Sequence, residues 1–77
     1  MLVVSWNVND KNIQPTTSDW IGLYRFNARN KKYKSYIKTV GKKQGNDQVP
    51  VPSSPGLFEF RYFTQNNMMI AKSNVFL

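Results

Sequence analysis

The chain has no cysteine and no histidine among its 77 residues. Without cysteine, no disulfide braces the fold and no thiolate can act as nucleophile or metal ligand, which fits a reducing compartment. Without histidine, the commonest general base and the commonest metal ligand are missing. Acid is scarce as well: Asp10, Asp19, Asp47 and Glu59 are all 4 of the acidic side chains. A calcium site takes about 6–8 oxygens, mostly from clustered carboxylates. Asp10 and Asp47 could meet at one loop end, but nothing in their spacing demands it. Asp19 is expected instead to accept bonds from backbone donors in its own turn. No carboxylate pair is spaced for acid–base work. Tyr24, Lys72 and Ser73 make no catalytic set, because any β-domain offers such a triple. No apolar run reaches the ~18 residues of a membrane span. The opening Met1, Leu2, Val3 and Val4 have no basic lead-in, unlike a secretory signal, and no Asn-x-Ser/Thr acceptor occurs. The expectation is a cytoplasmic, non-enzymatic chain without metal or cofactor.

Aromatic residues, by contrast, are plentiful: 5 Phe, 4 Tyr and 2 Trp. A chain of this length forms one domain, and it buries only roughly 60% of its unfolded surface. Each buried ring removes about 150–250 Å² from water, so the rings carry the core. The densest stretch is Asp19, Trp20, Ile21, Gly22, Leu23, Tyr24 and Arg25. Its length and its aromatic and branched residues suit a strand. Gly22 marks a point where another backbone or a large ring comes close. A second aromatic run, residues 57–63, is its natural neighbour. Trp6, Trp20, Phe58 and Phe60 are assigned to the core, with Trp20 meeting Phe58 and Phe60 across a two-layer interior.

The pattern predicts strands over residues 2–6, 19–26, 32–40 and 57–64, then a return strand over 68–71 and 73–77 that bulges near Lys72. Residues 7–18 read as a loop anchored by Ile13, 27–31 as a turn and 41–47 as a loop with two glycines. Val49, Pro50, Val51 and Pro52 are extended, but proline lacks a donor and cannot fill a central ladder. Residues 53–56 form a turn, and Gln65, Asn66 and Asn67 a tight hairpin, since asparagine tolerates positive φ. In residues 57–64, Phe58, Phe60 and Tyr62 share one side, and Glu59 and Arg61 the other. Short strands between turn signals, with no helical period, predict an all-β, immunoglobulin-like antiparallel sandwich of 5–7 strands. Such a sandwich normally holds about 7 strands in ~100 residues. The chain is short by at least one strand, which suggests a single domain over residues 1–77 cut from a larger protein.

Charge is unevenly placed. The net charge is +7, and Arg25, Arg29, Lys31, Lys32, Lys34, Lys38, Lys42 and Lys43 supply most of it, while residues 20–46 contain no acid. Alternation over 32–40 puts Lys32, Lys34, Tyr36 and Lys38 on one face, and Tyr33, Ser35, Ile37 and Thr39 on the other. This block attracts anions, or it is simply a solvated face that keeps a β-protein soluble. A solvated face normally mixes both signs, which this one does not. Nucleic acid is disfavoured, since Tyr33 and Tyr36 on opposite faces make no stacking platform and no RNP, KH or zinc-knuckle signature occurs. The open edge over residues 1–6 leaves room for a strand-exchanged homodimer.

Trp6 in the first strand, then Asp19-Trp20-Ile21-Gly22-Leu23-Tyr24, then Lys32, Tyr33 and Tyr36, follow in this order. Pro55-Gly56, then Phe58-Glu59-Phe60-Arg61-Tyr62-Phe63, and finally Ala71-Lys72-Ser73-Asn74 complete the series. Together they resemble the SKICH domain, and the same order is similar to the N-terminal β-sandwich of HECW-type ubiquitin ligases. The resemblance implies an immunoglobulin-like sandwich with no catalysis of its own, acting in membrane or partner targeting inside a multidomain protein. Two functions follow as expectations: binding a protein partner, or holding acidic lipid or phosphoinositide headgroups through residues 25–43.

Overall fold

The computed structural model describes residues 1–77. It contains six strands and no helix: β1 (Leu2–Asn7), β2 (Trp20–Arg25), β3 (Ser35–Lys38), β4 (Gln44–Val49), β5 (Phe58–Phe63) and β6 (Met69–Lys72). They form a two-stranded sheet, β1-β4, and a four-stranded sheet in the order β3-β2-β5-β6. Every strand pair is antiparallel. The fold is the all-β, immunoglobulin-like sandwich expected of the sequence. Val4 and Val49 from the smaller sheet meet Ile21, Leu23, Ile37, Phe58 and Tyr62 from the larger one, and Leu2, Trp6, Val8, Phe60, Ile70 and Phe76 pack around them.

Trp20 departs from expectation. Ile21 pairs with Ile37 and Tyr62, and Leu23 with Phe60, all toward the interior. The two-residue period of a strand then sends Trp20, Gly22 and Tyr24 to the opposite surface. Trp20 therefore does not face Phe58 and Phe60 across the interior; it stacks on Phe63 on the outer face, centroids 4.4 Å apart. Two aliphatic residues facing inward fix the parity, and the indole follows. Gly22 behaves as expected: a Cβ there would sit 2.7 Å from Tyr24 Cε1 and 2.9 Å from Trp20 Cζ3, so the two rings close over it.

The third strand is shorter than its alternation suggests. Only Ser35–Lys38 is ladder, and residues 32–34 belong to the connection from β2, held where the Lys34 N–H donates to the Leu23 carbonyl at 2.7 Å. Strand β4, by contrast, lies largely where a loop was expected. Gln44–Val49 is polar except at its end, so it carries no hydrophobic period, and pairing with β1 makes it a strand. Trp6 lies over its cross-strand partner Gly45, where an added Cβ would be 2.7 Å from Trp6 Cζ2. The expected bulge also moves. The register shift falls between Tyr62 and Phe63, and the chain after β6 returns to the sheet as a single bridge, Phe58 with Phe76.

Candidate interaction surface

The outer face of the four-stranded sheet is the most elaborated surface of the molecule. Strand β2 places Trp20 and Tyr24 there, β3 places Tyr36 and Lys38, and β5 places Glu59, Arg61 and Phe63. The connection over residues 26–34 folds across part of it. Tyr24, with no exposed surface, donates its hydroxyl proton to the Asn30 carbonyl at 2.6 Å. The Arg61 guanidinium lies 4.2 Å from the Tyr24 ring centroid, donates to Asn30 Oδ1 at 2.7 Å, and forms a 2.7 Å ion pair with Glu59 Oε2. Glu59 and Arg61 are two residues apart, hence on one side of a strand, and both are buried. A buried charge needs such partners, because an isolated one is strongly unfavourable away from water. Burial pushes the Tyr24 phenol above its ordinary value, against the opposing pull of Arg61.

Beside this sealed patch the face opens. Trp20 meets Tyr33 edge-on at 5.7 Å and Tyr36 at 6.1 Å, and the two tyrosines meet each other at 5.4 Å. Ser18, Trp20, Tyr33, Tyr36 and Lys38 border a shallow hollow of ≈ 240 Å³. Tyr33 and Tyr36 are 46% and 50% exposed, enough to be touched by another molecule. The indole N–H of Trp20 is satisfied by Asn67 Oδ1 at 3.1 Å, which fixes the ring. The expectation that Tyr33 and Tyr36 lie on opposite faces is overturned, because Tyr33 sits outside β3 and strand alternation does not govern it. The rings stand edge to face at 82° and so present no common stacking plane.

The basic residues spread around this face. Arg25 ends β2; its Nη2 donates to Ser54 Oγ at 2.7 Å and its guanidinium lies 5.4 Å from the Phe58 centroid, which makes it a pin between elements. Arg29, Lys31 and Lys32 are exposed in the connection before β3. Lys34 borders a hollow with residues 50–54, whereas Lys38 borders the Trp20 hollow. Lys32, Lys34 and Lys38 therefore do not share one strand face. Lys42 and Lys43 occupy the approach to β4, where the Lys42 carbonyl accepts from Trp6 Nε1 at 3.1 Å and the Lys43 carbonyl from the Val8 N–H at 2.6 Å. No lysine ammonium and no Arg29 guanidinium has a protein partner, and Glu59–Arg61 is the one salt bridge.

The acids have structural duties. Asp19 accepts from the Thr16 N–H at 3.1 Å, the Thr16 hydroxyl at 2.7 Å and the Tyr62 hydroxyl at 3.0 Å, so its expected turn bonds are present with one further tie to β5. Burial pushes the Tyr62 phenol above its usual value; the Thr39 hydroxyl offsets part of this, and Asp19 adds to it. Asp10 accepts from the Asn12 N–H at 2.8 Å and Asp47 from the Gln48 N–H at 2.7 Å, and no three acids come together. Sequence reasoning missed Asn30, Asn67 and Phe63 as supports of this face. The available signal was Glu59 and Arg61, two opposite charges on one side of an aromatic-rich strand.

The family model described as SKICH domain matches residues 1–77. Neither a curated protein nor a solved structure matches the chain. The match does not bear on the likeness to HECW-type ligases.

Proposed function

The chain belongs to the SKICH domain family, and on that premise we propose that it is a non-catalytic module that ties a larger, cytoplasmic protein to an acidic protein partner. SKICH domains are interaction domains. The observation that carries the reading is the open cluster of Trp20, Tyr33 and Tyr36 beside Lys38. Tryptophan and tyrosine anchor protein interfaces because they bury much area for few rotatable bonds, and their polar ends tolerate water in the free state. Lys38, with Lys31 and Lys32 nearby in sequence, favours an acidic counterpart.

Immobilised domain tests this, in parallel with a Tyr33→Ser/Tyr36→Ser variant and a Lys38→Glu variant, by capture from cell extract at about 0.1 M salt, where the Debye length is near 10 Å. A protein retained stoichiometrically by the wild type and lost from both folded variants supports the reading. Capture that does not distinguish them rejects this surface.

A second reading rests on a separate observation: seven of the eight basic residues between Arg25 and Lys43 have no bonded partner for their charge, Arg25 being the exception. Each such residue near an acidic bilayer adds about 1 kcal/mol. Flotation with phosphoinositide-containing vesicles decides it. No binding at low salt defeats the membrane reading, and binding unchanged by Lys32→Glu, Lys34→Glu and Lys38→Glu moves it away from these lysines.

A further inference from the structure

Trp20, Tyr33 and Tyr36 meet as three walls rather than as a stack. The planes of Trp20 and Tyr33 are 67° apart, those of Trp20 and Tyr36 81°, and those of Tyr33 and Tyr36 82°, with centroids separated by 5.7, 6.1 and 5.4 Å. Three faces set close to right angles at such separations, like the inside corner of a box, leave one point about 4 Å from all three, within the roughly 6 Å over which a ring face attracts a cation. The same three residues border the hollow of ≈ 240 Å³, so the corner has room for a guest. Phe63 covers one face of the indole and Asn67 Oδ1 accepts its N–H, which fixes the Trp20 wall in the free protein.

The rim of the hollow is one-sided in charge. Lys38 stands opposite Trp20 in the β2–β3 register and borders the hollow with Ser18, and no acid lines it. The Lys38 ammonium has no acidic partner. A bare cation suits the rings but not this rim, since the chain carries +7 and residues 20–46 contain no acid. A bare anion suits Lys38 but gains nothing from ring faces, which are the negative side of the aromatic quadrupole. A ligand that joins a quaternary cation to a nearby anion satisfies both.

We propose that this hollow binds a phosphocholine group, with the trimethylammonium in the corner of Trp20, Tyr33 and Tyr36 and the phosphate on Lys38. A quaternary ammonium has no N–H to leave unbonded among the rings, whereas a primary ammonium has three. The site goes beyond the protein-binding reading of the same face and needs no protein partner. Phosphocholine exists as a lipid headgroup and as a soluble ester, and the corner recognises the chemistry the two share.

The probe is soluble phosphocholine, titrated into the domain by NMR. Saturable shifts at the Trp20 indole N–H, Tyr33, Tyr36 and Lys38 are expected. Tyr33→Leu and Tyr36→Leu keep apolar bulk but remove an aromatic face, and each should weaken binding about fivefold or more. Both side chains are about half exposed, and the amide spectrum of each variant shows that it is folded. Lys38→Gln should weaken phosphocholine and tighten choline, because the lysine attracts one and repels the other. Flotation with phosphatidylcholine vesicles separates the sources: retention identifies the lipid headgroup, and binding of the soluble ligand alone identifies a soluble ester. Phosphoethanolamine binding as tightly as phosphocholine, undiminished binding by both leucine variants, tighter binding of a trimethyllysine peptide, or no saturable shift up to about 10 mM would each overturn the proposal. Protein capture from extract is read separately, so either reading of this face can fail while the other stands.

Discussion

At the scale of single residues, two buried phenols couple the fold to pH. Tyr62 donates to Asp19, which also closes the turn entering β2, so one hydroxyl links the start of β2 to the far end of β5. Both Tyr62 and Tyr24 are held above the ordinary tyrosine value, chiefly by burial. Above about pH 10 the unfolded chain surrenders these protons before the folded one does. The stabilisation is complete below the ordinary value and fades as pH climbs through the raised one. Melting temperatures from pH 8 to pH 11 check this. Tyr62→Phe should start lower, having lost the bond to Asp19, and fall less steeply at the alkaline end. A variant slope equal to that of the wild type would count against the assignment.

At the scale of elements, the β5–β6 hairpin shows how a local signal acquires a distant role. Asn67 has φ 58°, the left-handed conformation that asparagine was expected to supply in this turn. Its side chain also accepts the Trp20 indole proton. Asn67→Gly keeps the backbone geometry and loses that bond, an expected loss of about 0.5–1.5 kcal/mol. Asn67→Val adds backbone strain of order 1–3 kcal/mol and should be worse. Urea denaturation of the two variants separates the contributions, and equal losses would remove the strain argument. Local chemistry of this kind was readable in advance: the hairpin, the sandwich class, the strands around Ile21 and Phe60, and the turn role of Asp19. What escaped reading depends on partners far along the chain. Strand β4 has no hydrophobic period and exists through its ladder to β1. Trp20 looks like core in composition, yet its neighbour Ile21 takes the inward position. The lysines alternate on paper, but residues 32–34 lie outside the ladder with a bend at Lys34, and the tyrosine cluster forms for the same reason.

At the scale of the whole molecule, unlike charges are poorly balanced. The chain carries +7 and one salt bridge, and residues 20–46 contribute no acid to offset their eight cations. Like charges on a small domain repel and lower its stability, and salt screens them. Raising sodium chloride from about 0.02 M to 0.3 M should raise the melting temperature by several degrees, since 1 kcal/mol corresponds to about 4–8 °C for a domain of this size. Calorimetry is the check, and a melting temperature that falls with salt would show that repulsion is not the dominant surface effect.

The two tryptophans stand in different layers, Trp6 over β4 and Trp20 against Phe63 on the far surface. Each layer therefore contains its own native fluorophore. Trp6→Phe would leave emission that reports the outer aromatic cluster alone, and Trp20→Phe would leave emission that reports the smaller sheet, so events in either layer could be followed optically without attaching a dye.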